Sequence, residues 1–312
     1  MKKILAIYFS DPEPMGYPFT KAPYHEMYLE IISRMEDDGL DVYIVRADSY
    51  LGTGRFKKGW KFVDGKLVES QGEIRADLIF NRDDKNTIPE INDCKIINKP
   101  EFDQLCVDKI KTFQMFPDIS PKSAYANSYQ EFLDKIKEWD IPMDQQIVLK
   151  KNFETEGRGI YILPVGKITE SLYGSWDNIL IQEFLDSSIG IQGITDGLHD
   201  LRVTVVNGVP INSFLRTPKE GSFLANVAQG GTGQSIYIED VPQEVLNLVQ
   251  NIDEKIKKFR PALYSADFVN STKGYKLLEL NSRPGVQHPD WSQTYRKYNK
   301  AMVDMIVEAI HD

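Results

Sequence analysis

Apolar and polar residues alternate along the N-terminal third of the chain in a way that predicts an open α/β unit. Apolar strand-like segments alternate with a helix-like segment, HEMYLEIISRMEDDG, which Gly39 ends. The strand-like segments are KKILAIYF, LDVYIVRA and ADLIFNRDD. Because the order is strand, helix, strand and the strands are apolar throughout, we expect them to pair in parallel.

The rest of the chain is predicted to contain helices and antiparallel hairpins. Two hairpins stand out: IVLKK returns through NFETEGRG to IYILP, and a second one turns at Asn207-Gly208, a strong turn signal. The predicted helices are FDQLCVDKIKTFQMF, SYQEFLDKIKEWD, PQEVLNLVQNIDEKIKKF and KAMVDMIVEAI. Antiparallel hairpins after a parallel unit indicate a mixed α/β chain with more than one subdomain.

A further hairpin, residues 264–285, carries the first candidate chemistry. Glu279 and Asn281 are two apart on a strand and therefore share a face. If 269 pairs with 275 across the NSTKG turn, Asp267 lies opposite Leu277 on that same face. Two carboxylates and an amide oxygen at one place suit Mg²⁺. The alternative is a solvated acidic face on an exposed hairpin.

Composition narrows the class of ligand. The net charge of −9 over 312 residues argues against nucleic-acid binding, so any phosphate must be held by local groups. No apolar run reaches membrane-spanning length, so no membrane partner is expected. The two cysteines, Cys94 and Cys106, have no metal or redox spacing, and we expect structural thiols in a cytoplasmic protein.

Glycine-rich segments supply candidate phosphate-binding groups. Lys150 precedes a loop that contains Gly157 and Gly159, and such a loop can offer backbone N–H groups to phosphates. A plain hairpin turn beside a surface lysine is the alternative. Asp200 and Arg202 share a strand face, where they could also form a surface ion pair.

Six motifs, taken in order, resemble those of the ATP-grasp superfamily, in the branch of bacterial glutathione synthetases and ribosomal-protein-S6-type glutamate ligases. They are NKP with Asp108-Lys109, IVLKK with the glycine loop, IQEFL, DLR, RTP…GSFLANVAQGG, and ADF…LLELNSRPG. The resemblance covers essentially the whole chain and implies an ATP-grasp fold behind an N-terminal open parallel-sheet domain. The implied domains are residues 1–105, a small lid subdomain at 106–185 with the glycine loop, and a C-terminal subdomain at 186–312 with the metal site.

The resemblance also implies roles for individual residues. Lys109 and Lys150 correspond to the nucleotide-phosphate lysines, Gly157 and Gly159 to the mobile loop, and Glu183, Phe184 and Leu185 to the hinge that receives adenine. Asp200 corresponds to a further nucleotide contact. Arg202, Arg216 and Asn226 correspond to residues beside the substrate, the acyl phosphate and the metal. Asp267, Glu279 and Asn281 correspond to the magnesium ligands.

One position departs from the family pattern. The relatives carry an arginine two residues before the asparagine that corresponds to Asn226, and this chain has Leu224 there. Either the contact is lost, or Arg216 or Lys219 supplies it. The N-terminal loops also have no close counterpart in the relatives.

The implied function is an ATP-dependent carboxylate–amine ligase that joins an amino acid or small peptide acid to an amine through an acyl phosphate, with ATP and Mg²⁺ or Mn²⁺ as cofactors. Two other functions stay open: a non-catalytic MgATP-binding regulatory protein, for which Leu224 is the reason, and a small-molecule kinase. The arginines of the predicted pocket favour anionic substrates; they are Arg82, Arg202, Arg216 and Arg283. A homodimer or homotetramer is expected, because closed symmetric oligomers are common.

Overall fold

The computed structural model of the chain describes residues 2–70, 72–83, 94–154, 158–175, 179–225 and 230–312. Two predicted site residues, Gly157 and Asn226, lie outside the described residues. The N-terminal elements are β1 (Ile4–Phe9), α1 (Ala22–Asp37), β2 (Asp41–Arg46), β3 (Tyr50–Gly52), β4 (Arg55–Phe56), β5 (Trp60–Val63), β6 (Lys66–Glu69), β7 (Ile74–Arg75), β8 (Leu78–Asn81) and β9 (Lys95–Ile97).

The remaining helices and strands follow in an order close to the predicted one. They are α2 (Pro100–Val107), α3 (Lys109–Met115), β10 (Ser123–Ala126), α4 (Tyr129–Glu138), β11 (Gln146–Lys151), β12 (Ile160–Pro164), α5 (Glu170–Tyr173), β13 (Ile179–Glu183), β14 (Asp200–Val206), β15 (Val209–Thr217), β16 (Thr232–Ile236), α6 (Gln243–Ile256), β17 (Leu263–Ser271), β18 (Gly274–Asn281) and α7 (Tyr295–His311). The predicted helix FDQLCVDKIKTFQMF divides at Asp108, whose side chain accepts hydrogen bonds from two N–H groups at the start of α3.

The N-terminal sheet has the strand order β6-β5-β2-β1-β8-β9. Strands β2, β1, β8 and β9 pair in parallel, which confirms the predicted parallel unit, and the β5–β6 hairpin extends one edge with antiparallel strands. Helix α1 and the C-terminal helix α7 share one hydrophobic core with this sheet. The last helix of the chain therefore packs against its first sheet.

Three antiparallel sheets accompany the N-terminal sheet among the described residues: a small one of order β3-β4-β7 and two larger ones. The second sheet has the order β10-β13-β11-β12 and packs against α4. The third sheet has the order β16-β15-β14-β17-β18 and packs against α2 and α6. The turn predicted at Asn207-Gly208 joins β14 to β15 with positive φ at both residues, as a two-residue hairpin requires. The predicted limits at 105/106 and 185/186 stay predictions.

The register predicted for the β17–β18 hairpin is wrong. Val269 pairs with Lys276, and a bulge between Asp267 and Phe268 places Asp267 directly opposite Glu279. The strands run further than the sequence suggests because only Thr272 and Lys273 form the turn. The bulge compensates for the shorter turn, so Asp267 and Glu279 still share a face.

A buried asparagine connects the N-terminal sheet to this hairpin. The Asn98 amide nitrogen donates to the carbonyl of Leu263, at 2.6 Å, and to the carbonyl of Ser282, and its oxygen accepts from the Leu263 N–H at 2.8 Å. Asn98 is 2% exposed. It therefore links the end of β9 to the start of β17 and to the residue after β18.

Replacing Asn98 by alanine is expected to lower the free energy of unfolding by about 2–4 kcal/mol, because each buried backbone group left unpaired costs about 1–3 kcal/mol. Urea unfolding followed by circular dichroism measures the change. The matched control is Asn247→Ala on the exposed face of α6, which should stay within about 0.5 kcal/mol. Equal stability of the two variants would contradict the linking role of Asn98.

Candidate functional site

A cleft lies between the second and third sheets, and most of the residues predicted for nucleotide and metal binding line it. The predicted residues on its wall are Lys150, Glu183, Phe184, Leu185, Asp200, Asp267 and Glu279. The apolar part of the wall is formed by Val148, Ile160, Ile162, Phe223, Leu224, Val269 and Leu278. A cleft with one apolar wall and a cluster of charges at one place can hold a flat ring and a phosphate chain.

An ion-pair network crosses three strands on the floor of the cleft. Arg202 donates two hydrogen bonds of 2.7 Å to the two carboxylate oxygens of Asp267, its cross-strand partner. Arg216 donates one of 2.6 Å to Asp200 and one of 2.6 Å to Asp267. The side chains of Asp200 and Arg202, which the sequence places on one strand face, are thus paired across strands rather than with each other.

The arginines determine the charge of Asp267. Burial alone would raise the pKa of this carboxyl, but Arg202 and Arg216 outweigh burial and hold its pKa well below the usual range. Burial raises the pKa of Asp200, which Arg216 only partly offsets. Asp267 is therefore the carboxylate of this pair that stays ionised most readily.

Counting acceptor positions shows that Asp267 retains room for one more ligand. A carboxylate offers about four lone-pair directions, and three N–H donors reach it here: two on Oδ2 and one on Oδ1. Opposite it, Glu279 is half-buried and lines the cleft. The amide nitrogen of Asn281 is buried without a hydrogen-bond partner among the described residues.

Side chains of these types fit a hard divalent cation, which takes oxygen ligands from carboxylates such as Asp267 and Glu279 and from an amide such as that of Asn281. Within the described residues, no group of three or more histidine, cysteine, aspartate or glutamate side chains is placed to hold a metal. A site of two carboxylates and one amide has only two side chains of these types, so this finding does not bear on it.

Two buried lysines face the same carboxylates. Burial lowers the pKa of Lys150 to about 8, although Glu279 favours its charged form. Burial also lowers the pKa of Lys109, which Glu279 again partly offsets. Burial and the nearby Asp267 raise the pKa of Glu279, while both lysines lower it. Lys109 and Lys150 therefore both interact electrostatically with Glu279, and Lys150 and Glu279 line the cleft, as a phosphate-binding site requires.

Replacing Lys150 by methionine is expected to stabilise the ligand-free chain by up to about 3 kcal/mol at pH 7, since each pKa unit corresponds to 1.36 kcal/mol. The folded-state pKa of about 8 lies below the ordinary 10.5, so the wild-type chain gains stability as the pH rises from 8 to 10.5. The advantage of the variant should therefore disappear over that range. ATP affinity should fall, because a phosphate-binding cation is lost.

Urea unfolding at pH 7 and at about pH 10, together with calorimetric ATP titration, measures both effects. Lys151→Met, at the neighbouring position of β11 that points to the other face of the sheet, is the matched control. A loss of stability in Lys150→Met at neutral pH would contradict the proposed cost of burying this charge.

Lys109 also holds the base of the glycine loop. Its ammonium donates to the carbonyls of Asn152, at 2.9 Å, and Glu154, at 2.6 Å. The Asn152 side chain in turn bonds the carboxylate of Asp108 and the amide of Ile110 at the start of α3. Gly159 closes the described part of the loop with φ of +69° and accepts a hydrogen bond from the Lys151 N–H. The loop is thus anchored to α3 as well as to its own hairpin.

The predicted hinge lies on the wall of the cleft, with its acidic side chain already paired. Glu183 accepts a hydrogen bond of 2.8 Å from the Lys122 N–H and forms an ion pair with Lys273. Its side chain and its backbone N–H, which donates to the Lys122 carbonyl at 2.9 Å, thus join β13 to the segment before β10. Phe184 packs edge-to-face on Phe223, with ring centroids 5.1 Å apart.

The other two arginines of the pocket predicted to bind anionic substrates also have partners inside the chain. Arg82 donates to the carbonyl of Pro284 at 2.8 Å, and Arg283 pairs with Asp103 at 2.8 Å. Asp103 also accepts a hydrogen bond from the Asn81 amide. The four arginines thus have acceptors inside the chain, which leaves less positive charge for an anionic substrate than the sequence suggests.

Sequence reasoning missed several of these partners. Asn98, Asp103 and Asn152 are polar residues whose importance comes from long-range contacts. Asn98 is the first residue of the NKP motif, Asn152 begins the NFETEGRG loop, and Asp103 lies in a predicted helix, but none of these patterns identifies a distant partner.

Comparison with known proteins agrees with the motif order. The model of the RimK-like ATP-grasp domain matches residues 106–306. The chain belongs to the RimK-like ATP-grasp family. The predicted superfamily and the predicted α/β ATP-grasp fold are therefore confirmed.

Named relatives of this RimK-like chain include probable alpha-L-glutamate ligases. The one from Shewanella halifaxensis is 28% identical over 191 residues, which cover 60% of this chain and 38% of that protein. The one from Maridesulfovibrio salexigens is 29% identical over 187 residues, which cover 58% of this chain and 56% of that protein. The chain thus spans about a third to about half of the length of these relatives.

Solved structures share the fold over the whole RimK-like chain. The D-alanyl-alanine synthetase A of Vibrio cholerae has a TM-score of 0.62 at 14% identity and covers 100% of both chains. The VanG D-Ala:D-Ser ligase of Enterococcus faecalis has a TM-score of 0.67 at 12% identity and covers 99% of this chain and 100% of its own. At such identities the likeness extends to the fold alone.

No helix in the described part of the chain is both long and apolar enough to cross a membrane.

Proposed function

We propose that this chain is an ATP-dependent carboxylate–amine ligase. The observation that carries the proposal is that Lys150, Asp267 and Glu279 line one cleft of an ATP-grasp fold, with Lys109 close enough to Glu279 to interact with its charge. Two cations with two carboxylates suit a nucleotide phosphate chain and its divalent metal. The substrate class, an amino acid or small peptide acid with an amine, is supported by relatives named glutamate ligases.

The role of each residue follows from its surroundings. Asp267, Glu279 and Asn281 would hold Mg²⁺ or Mn²⁺, which supplies charge neutralisation at the phosphates when bound. Lys109 and Lys150 would bind phosphate oxygens. Arg202 and Arg216 hold Asp267 in its ionised form, and a guanidinium in this position can also stabilise charge that develops on an acyl phosphate.

The reaction is amide-bond formation through an activated acid. The substrate carboxylate takes the terminal phosphoryl group of ATP, which gives an acyl phosphate, and the amine then displaces phosphate and loses a proton. The apolar wall of the cleft, which includes Leu224 and Phe223, would exclude water that otherwise hydrolyses the acyl phosphate. Gly157 and Asn226, which lie outside the described residues, stay predicted contributors to this site.

A screen of pooled acids and amines tests the function. ADP and phosphate should appear only when an acid and an amine are both present, with a ligated product visible by mass spectrometry. AMP and pyrophosphate as products would rule out the proposal. A stable phosphorylated product formed without any amine would instead identify a small-molecule kinase.

A non-catalytic MgATP-binding protein is the second candidate, and Leu224 is the observation that favours it. Leu224 lines the cleft where the relatives' pattern has an arginine, so the wall there is apolar. Tight MgATP binding without ADP release in the whole screen would support this candidate. Leu224→Arg, tested in parallel with wild type, would show whether the missing cation limits turnover.

A further inference from the structure

Aromatic side chains from distant parts of the chain meet beside the loop that follows β18. Tyr24, in the first turn of α1, packs edge-to-face on Trp291, with ring centroids 5.2 Å apart. Tyr17, from the loop after β1, also packs edge-to-face with Tyr24, with ring centroids 6.1 Å apart. Trp291 is 39% and Tyr17 51% exposed. We refer to Tyr17, Tyr24 and Trp291 as the aromatic shelf.

Carboxylates flank the aromatic shelf. Glu26 and Asp290 each approach a ring nitrogen of His288 at 3.3 Å, and their side chains are 63% and 76% exposed. The Asp290 N–H donates to Nδ1 of His288 at 3.2 Å. The His288 ring in turn packs on Trp291 with ring centroids 5.5 Å apart, so the two carboxylates lie near the shelf.

A cation already lies on one ring of the shelf. The Lys21 ammonium is 5.7 Å from the centroid of the Tyr17 ring. This contact is the geometry in which aromatic rings attract cations, through the negative charge of the ring face. Glu26 and Asp290 lie instead beside His288, which packs on Trp291.

The shelf is close to the proposed metal site. A β-carbon at Gly285 would lie 3.1 Å from the Tyr24 hydroxyl oxygen. Gly285 is four residues after Asn281, a distance of at most about 14 Å along an extended chain. An extended peptide of four to five residues has about this length, so a peptide substrate can reach the shelf while its reacting group is at the metal site.

We propose that the aromatic shelf binds a positively charged group, an ammonium or guanidinium, carried by a substrate in addition to its reacting group. That the charged group belongs to a substrate rests on the proposed ligase function, but its binding to the aromatic shelf does not depend on catalysis. The rings supply the face that attracts a cation, and Glu26 and Asp290 supply the opposite charge. The acid–amine pair of this ligase then includes a cationic molecule of the lysine, arginine or polyamine class.

Binding can be measured without nucleotide. The probe is the Nα-acetyl amide of lysine, and its neutral counterpart is the Nα-acetyl amide of 2-aminoheptanoic acid, which has the same number of side-chain heavy atoms. The indole N–H signal of Trp291, assigned with Trp291→Phe, should shift saturably with the lysine probe and not with the neutral one. An equal response to both probes would show that the shelf binds apolar groups and does not recognise charge. No response to either probe would show that the rings only stabilise the fold. Either result would overturn the proposal.

Charge variants test the role of the carboxylates. The double variant Glu26→Gln, Asp290→Asn is expected to weaken the lysine probe about 2–5-fold, and added salt should weaken binding to wild type more than to the variant. Glu254→Gln, at an exposed glutamate of α6, is the matched control. An unchanged affinity in the double variant would overturn the proposal.

Turnover separates this inference from the proposed function. If the chain is a ligase with a cation-binding shelf, Trp291→Leu should raise KM for a cationic substrate and leave kcat nearly unchanged. Ligation of cationic and neutral substrates with equal KM would overturn the shelf proposal alone. Probe binding at Trp291 with no ADP release from any substrate pair would contradict the ligase function and leave the shelf as a binding site.

Discussion

Replacing Glu279 by glutamine is expected to abolish the part of ATP affinity that depends on Mg²⁺ and to lower turnover by about 10²-fold or more. Glu279 lines the cleft opposite Asp267, and burial together with that carboxylate raises its pKa. Its charge is thus unfavourable in the ligand-free chain and becomes favourable when a divalent cation binds. Glutamine keeps the shape of the side chain and removes the charge.

The measurement is calorimetric titration of ATP with and without Mg²⁺, which needs no knowledge of the substrates. Binding of ATP without Mg²⁺ should be retained, and the free energy of unfolding should stay within about 1 kcal/mol of wild type. Glu244→Gln, on the exposed face of α6, is the matched control. Normal Mg²⁺ dependence in Glu279→Gln would exclude Glu279 from the metal site.

Replacing Asp267 by asparagine is expected to affect both stability and function. Asp267 is 1% exposed and accepts three hydrogen bonds, so its loss leaves the buried Arg216 and the half-buried Arg202 without their shared acceptor. Removing one partner of a buried ion pair costs about 3–5 kcal/mol. We expect a loss of that size in urea unfolding at pH 7, together with loss of Mg²⁺-dependent ATP binding.

A double variant separates the two effects. In Asp267→Asn, Arg202→Met, the unpaired charge of Arg202 is removed, so part of the lost stability should return, with a coupling of about 0.5–3 kcal/mol. Mg²⁺-dependent ATP binding should stay absent in the same variant. Asp304→Asn, on an exposed part of α7, is the control for a change of charge alone. Additive effects of the two substitutions would contradict a direct ion pair.

The ion-pair network also explains why the pocket predicted to bind anionic substrates is less positive than its residues suggest. Arg202 and Arg216 stand on neighbouring strands, and each finds its acidic partner across the sheet. Arg283 finds its partner, Asp103, on α2, 180 positions earlier in the chain. Residue types alone therefore overestimated the free positive charge, because pairing across strands depends on register.

Sequence alone determined the elements and the family. The apolar alternation located the strands of the parallel unit, Asn207-Gly208 located a hairpin turn, and the order of motifs from Asp108-Lys109 to the β18 strand identified the ATP-grasp fold. These features are local: a strand period, a turn that needs positive φ, and short motifs can each be read from neighbouring residues.

Tertiary structure decided how the site is held together. The bulge after Asp267 set the partner of Glu279, and neither a bulge nor a two-residue turn at Thr272-Lys273 is encoded by alternation alone. The burial that lowers the pKa of Lys150 and the contacts of Asn98 arise from segments far apart in sequence. The hairpin for which the spacing predicts a metal site is therefore held in place by ion pairs and hydrogen bonds. These contacts form only when the three larger sheets pack together.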